Sequence, residues 1–465
     1  MSTSPTPHIV ILGGGYSGTL TAINLARLAT KPPRITVVND HRPEGRGVAY
    51  GTRRREHLLN VPARNMSAFP DLPDDFVNWL RTRCDYDLVP EHDLRERFIP
   101  RMVYGDYLQS LAHTFLREVQ HIRGEAIDVC EEGNVMLSDG GKIRADRIVL
   151  ATGNEAPGDL PGSESLVSHP AWAANPWLPW YEKLPPDTGT IVLLGTGLTT
   201  VDSIMTLRAL GWLGRIHAVS RNGWLPNAHF RGIDYPDFPP PDVDLAELGL
   251  KKLYVLIEQH CARLREVEAN PAIIVDKMRP HTQRIWQRFT LEEKKTFARR
   301  HAARWNILRH RIAPEIHAQI TSSQLTGQLQ VHAAGIEQVE AVGDRVRVSL
   351  SGNQSLEGDL VLNATGPHTR FVETKSILLQ NLLRRGLIAP DELEMGIRIQ
   401  PDHTLIDSEN RPSSHLMALG PILRGTYWET IAVPELRAQA RRVAETILQI
   451  VSGSTPGPVM MEYMI

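Results

Sequence analysis

Cysteine is nearly missing from this chain: 465 residues carry three, Cys84, Cys130 and Cys261, with no CxxC pair among them. An odd number so widely spaced excludes a disulfide framework and a dithiol redox centre, and inert thiols are expected. Eighteen histidines are scattered without an HExxH or a close Cys/His pairing, so no metal is expected. An excess of one charge is also lacking, since 51 Lys and Arg face 53 Asp and Glu. No global field then draws the chain to nucleic acid or to a membrane surface. No apolar run approaches the roughly 18 residues of a membrane span, and the opening MSTSPTPH has neither the basic nor the apolar part of a secretion signal. A cytoplasmic protein is expected. A Ser/His/Asp set or a paired-carboxylate constellation is equally absent, so no side chain is singled out as nucleophile, acid or base.

What is present begins at Ile9–Leu12, a short apolar run that meets Gly13, Gly15 and Gly18, with Tyr16 and Ser17 between the last two, before a helical pattern runs from Thr19 to Thr30. That is the strand, turn and helix of a dinucleotide-binding βαβ unit. The first glycine permits the turn, the second lets backbone approach a pyrophosphate, and the third lets helix and strand pack closely. A second strand, Ile35–Val38, ends at Asn39 and Asp40 about 20 residues on, where a ribose partner belongs. The usual acidic position falls on Asn39, with Asp40 next, and either can make the contact.

A second glycine turn follows the strand Thr190–Leu194, with Gly195 and Gly197, Leu198 and Thr199 opening a helix, and Thr200 where a third glycine would stand. Its next strand ends at Ser220 and Arg221; an arginine there suits the 2′-phosphate of NADP. Two stretches of period-two alternation each return to a buried strand ending in Ala-Thr-Gly, one at Thr152 and Gly153, the other at Thr365 and Gly366. The simplest account is that the chain leaves one nucleotide domain at the first and re-enters it at the second. Irregular loops carrying Arg46, Asn60 and Met66 are expected to wrap the bound dinucleotide. Residues 226–320 read as a helical insertion whose basic run is expected to be a solvated face, the sharper alternative turning Arg309 or Arg311 toward a cofactor phosphate. Near the C-terminus, a strand and turn at Gly420 and Pro421 lead through Tyr427, Trp428 and Thr430 into a helix starting at Pro434, whose first amides suit developing negative charge.

Taken together, GRGVAYGT, HLLNVPA, MSAFPD, PR..YGDYL, ATGN, GTGLTTVD with SRNG, and ALGPILRGTYWE before AVPELRAQA make the chain resemble the bacterial FAD/NAD(P)-binding family, relatives of the two-dinucleotide-binding flavoproteins. The resemblance covers nearly the whole chain. It implies FAD in the first domain and a nicotinamide cofactor in the second. Domain order adds a more distant likeness to class B flavin monooxygenases, including amine N-hydroxylases and Baeyer-Villiger enzymes; the fingerprint FxGxxxHxxxW is only partly echoed by Ser168–Trp172. The fold expected is α/β, two Rossmann-like dinucleotide-binding domains of three-layer ββα character plus the insertion. The divisions expected are 1–165 and 360–465 for the FAD domain, 166–225 and 321–359 for the NAD(P) domain, and 226–320 for the insertion.

The function expected is an NADPH-dependent FAD oxidoreductase, first of all a monooxygenase acting on a small substrate with molecular oxygen. Alternatives are a flavin reductase serving another acceptor and a non-catalytic flavin-bound sensor. Arg101, Tyr427 and Trp428 are candidates for the flavin face.

Overall fold

A computed structural model describes residues 6–40, 44–230 and 234–452. Two largely parallel sheets organise it. Across the first, the strands run Thr404–Ile406, Pro412–Ala418, Arg147–Leu150, His8–Leu12, Arg34–Asn39 and Gln120–Arg123, all parallel except the Thr404–Ile406 edge. The sequence HIVIL is buried at all five positions because both faces of its strand are covered, which is why it is apolar without alternation. Ile9 and Ile11 pack with the helices Tyr16–Leu28, Arg101–Phe115 and Val433–Ser452. Val10 and Leu12 face the ribbon of Ala126–Val129, Asn134–Leu137 and Lys142–Arg144.

The second sheet repeats the plan. Its order is Leu329–Ala333, Arg215–Ser220, Thr190–Leu194, Leu360–Asn363 and Trp172–Ala173, all parallel. Ile191 and Leu193 pack with the helices Leu198–Ala209 and Pro314–Leu325, while Val192 and Leu194 meet the ribbon of Ile336–Val342, Arg345–Leu350 and Gln354–Gly358. Each domain is therefore helix, sheet and ribbon, the three layers expected.

Two boundaries move. The strand Leu360–Asn363 pairs with Ile191–Leu194, so the return to the first sheet expected at residue 360 comes later, with Thr404–Ile406 and Pro412–Ala418. The reason is that a ribbon followed by Ala-Thr-Gly is each domain's own closing strand. The helix Pro314–Leu325 packs on the second sheet through Ile316 and Ile320, so the insertion ends before it and not at 320. The insertion keeps a core of its own, with Leu253, Ile274 and Trp286 inside. Among the described residues no helix is long and apolar enough to cross a membrane.

Candidate cofactor sites

The first glycine turn is dictated by close approach. Gly13 has φ +114°, and a Cβ there would lie 2.3 Å from the carbonyl oxygen of Ala151; one on Gly18 would lie 1.9 Å from that of Gly13. Neither position accepts a side chain. Gly15 differs, because its nearest neighbour would be the Gly47 Cα at 3.5 Å and space remains beyond it. No side chain caps the helix Tyr16–Leu28, so its leading amides stay available to an anion. Gly420, at φ +89°, stands opposite, with a Cβ there reaching to 3.4 Å from Ser17 Oγ. Its amide donates to Gln439 Oε1 (2.8 Å), and Gln439 Nε2 donates to Thr430 Oγ1 (2.9 Å), which donates to the Gly420 carbonyl (2.9 Å). That closed set fixes the approach to the C-terminal helix. Thr152, Gly153 and Pro421 line one cleft of about 640 Å³ together with His368 and Arg424. The Gly14 amide donates to Asn39 Oδ1 (3.2 Å), so Asn39 braces the turn, and Asp40 is exposed beyond it.

The second turn is a copy. Gly195 has φ +128°, with a Cβ there 2.2 Å from the Ala364 carbonyl oxygen. Gly197 precedes the helix that Leu198 and Thr199 open and has no atom within 4 Å of where a Cβ would sit; the same holds for Gly153 and Gly366. Thr200 is accommodated because its hydroxyl donates to the Gly195 carbonyl (2.8 Å), the atom equivalent to the one that Gly18 approaches. Ser220 Oγ is bonded to Thr196 Oγ1 (2.8 Å) and to the Gly223 amide (3.1 Å). Arg221 is exposed at the strand end, with no carboxylate paired to it among the described residues. Thr365 Oγ1 donates to Asn363 Oδ1 (2.7 Å).

Several expected site residues lie elsewhere. Arg46 turns into the helix Arg101–Phe115, donating to the Met102 carbonyl (3.3 Å) and Gln109 Oε1 (2.8 Å) and pairing with Asp106. Met66 is buried in the first core. Arg101 forms the seam between domains, with Nη1 at 2.6 Å and Nη2 at 3.2 Å from the two carboxylate oxygens of Asp202 and Nε donating to the Leu58 carbonyl (2.9 Å). Asn60 stands beside it, Oδ1 3.5 Å from Arg101 Nη2, and its carbonyl accepts from His229 Nε2. Tyr427 is enclosed by the ribbon-side core of the first domain, where burial pushes its hydroxyl pKa up to about 12. Trp428 points into the insertion, with ring centroids 4.9 Å from Trp286 and 5.0 Å from Phe297. The basic run is not uniformly solvated: Arg309 is buried against Glu429 (3.6 Å) and Glu435 (3.4 Å), and Arg311 against Asp276 (2.5 Å).

Sequence reasoning passed over Asp202 and Arg424, although both lie inside quoted motifs. Arg424 is a half-buried guanidinium on the cleft wall with no ion-pair partner among the described residues, and burial lowers its pKa. Its signal was an arginine two residues after an apolar turn, which spacing alone does not separate from a surface arginine.

Residues 10–155 match the model of a family described as FAD-NAD(P)-binding. No curated protein matches the chain. Among solved structures, the ornithine N-hydroxylase of Kutzneria sp. 744 is 14% identical with a TM-score of 0.67, over 96% of this chain and 100% of that one. The ornithine hydroxylase of Pseudomonas aeruginosa is 14% identical with a TM-score of 0.63, over 95% and 99%. The L-lysine 6-monooxygenase of Pseudomonas syringae is 17% identical with a TM-score of 0.63, again over 95% and 99%. At these identities it is the architecture of two dinucleotide cradles that this chain shares with them.

Proposed function

Proceeding from a first domain that matches an FAD-NAD(P)-binding family, we propose that the protein is an NADPH-dependent flavoprotein monooxygenase acting on a small molecule. One observation carries the reading: the same cradle is built twice, Gly13 under Ala151 and Gly195 under Ala364, with Asp40 ending one second strand and Arg221 the other. An acid suits ribose hydroxyls and a base suits a 2′-phosphate, so the first cradle takes FAD and the second NADPH. When bound, the pair supplies two electrons from NADPH and, with a solvent proton and O₂, places one oxygen atom on the substrate and releases the other as water.

The chain's own part is binding, orientation and exclusion of water. The leading amides of the helix Tyr16–Leu28 hold the pyrophosphate, and Asn39 and Asp40 present the ribose contacts. The Gly420, Gln439 and Thr430 set keeps the C-terminal helix end in place, and Arg424 contributes a fixed positive charge to the cleft wall. The Arg101–Asp202 pair holds the two domains in one relation.

N-hydroxylation is favoured over Baeyer-Villiger chemistry. The Kutzneria neighbour is an ornithine N-hydroxylase, and the segment echoing the Baeyer-Villiger fingerprint ends here in the edge strand Trp172–Ala173. A cytoplasmic setting completes the reading. The test is the visible spectrum of purified protein, followed by anaerobic NADPH and then oxygen. Expected are a flavin spectrum, bleaching by NADPH, and oxygen-dependent recovery coupled to a product 16 mass units heavier. Prompt recovery with peroxide alone across substrate panels would instead make the protein a reductase.

A further inference from the structure

The insertion holds a second pocket, open to solvent on one side, that shares no lining residue with the cleft at Thr152 and Gly153. Its walls are apolar, with Leu253, Ile285 and Phe289 among three indoles, Trp286, Trp305 and Trp428. Two of those indoles turn their polar edges out of it. Trp286 Nε1 donates to the Gly425 carbonyl (2.9 Å) and Trp305 Nε1 to Glu429 Oε1 (2.8 Å), leaving ring faces toward the interior. The one carboxylate on the lining, Glu258, is paired with Arg304 (3.0 Å). An ammonium group therefore finds no acid of its own there, and an uncharged ring or hydrocarbon is suited by the apolar wall away from Arg265, Arg304 and His301.

Apolar wall left facing water gains by being covered, so a pocket of this composition favours an apolar occupant. Its position ties it to the proposed chemistry. The segment that both indoles grip, residues 425–430, begins beside Arg424 on the cofactor cleft and ends at Thr430, which holds Gly420. We propose that this pocket receives the apolar body of the substrate, an uncharged aromatic or branched hydrocarbon frame, and that Trp428 is the lining residue through which the 425–430 segment meets it. This deepens the proposed function and rests on it for the word substrate.

The experiment titrates the full-length, flavin-loaded protein with the uncharged fluorophore N-phenyl-1-naphthylamine, reading probe emission and tryptophan quenching, with naphthalene and cadaverine as competitors. Expected are saturable binding at one site, displacement by naphthalene and none by cadaverine. Ile257→Trp, at a half-buried lining position, and Leu253→Phe, deeper in, should each weaken the probe at least tenfold with circular dichroism and flavin content intact. Displacement by cadaverine alone, or unchanged affinity in both filled variants, would overturn the assignment. Flavin bleaching by NADPH is followed in the same samples: bleaching without probe binding sinks this inference alone, and probe binding without bleaching sinks the oxidoreductase reading while leaving an apolar site.

Discussion

Arg221 and Asp40 occupy equivalent places in two copies of one strand end, and in the proposed function their opposite charges divide the cofactors between the cradles. Arg221→Ala removes a charge-assisted partner worth roughly 1.5–3 kcal/mol. The KM for NADPH should therefore rise about 10–100-fold with the KM for NADH little changed; an equal rise in both would place Arg221 outside the 2′-phosphate site. Gly15 offers a different kind of test. Because a Cβ there meets only Gly47 Cα at 3.5 Å, Gly15→Val should fold, yet its γ carbons project into the space proposed for the pyrophosphate. Colourless, folded protein is the expected outcome, and a yellow variant would refute the geometry. Gly13 and Gly18 were legible in the sequence because backbone contact leaves glycine no substitute there. Thr200 was legible only as an exception, and its hydrogen bond to the Gly195 carbonyl explains why the exception is harmless.

At the scale of elements, the helix Arg101–Phe115 of the first domain and the helix Leu198–Ala209 of the second are joined by the buried Arg101–Asp202 pair. Removing one partner strands the other's charge, so Asp202→Asn should destabilise by about 3–5 kcal/mol, read as a lower denaturant midpoint. Arg101→Met with Asp202→Leu should cost less than the sum of the singles; strict additivity would mean that the pair is not coupled. Partnerships of this kind were not readable from sequence, since the two residues lie in separate motifs, Arg101 suggested a flavin-face contact and nothing singled out Asp202. The same limit applied to Trp428, because aromatic spacing does not distinguish a flavin wall from an insertion core. Residue 360 misled for the opposite reason: the pattern was read correctly as a ribbon and closing strand, but repetition hid which sheet it closes.

Across the whole molecule, the seam also holds two neutral histidines. His57 bonds Thr52 Oγ1 (3.0 Å) and Thr206 Oγ1 (2.9 Å), and His229 donates to the Asn60 carbonyl. Burial, the largest influence on each, lowers both pKa values, that of His229 to about 4. A lowered histidine binds its proton more readily once unfolded, so this stability is complete above pH 6.5 and is lost as pH falls toward 4. For His229 the loss is on the order of 3 kcal/mol. Melting temperature should fall over that window, and His229→Gln should flatten the fall; an equally steep variant would show that the seam does not govern it.

The strand Pro412–Ala418 lies beside Arg147–Leu150, and the helix Val433–Ser452 covers Tyr16–Leu28. A ribosome thus makes the first glycine turn long before its far wall. Until then the nascent chain carries a bare edge along Arg147–Leu150, and edges of that kind invite pairing with other chains. The proposed flavin uptake must therefore wait for Pro412–Ala418 and Val433–Ser452, and slow elongation between Arg147–Leu150 and those elements would lengthen the interval in which aggregation competes with it.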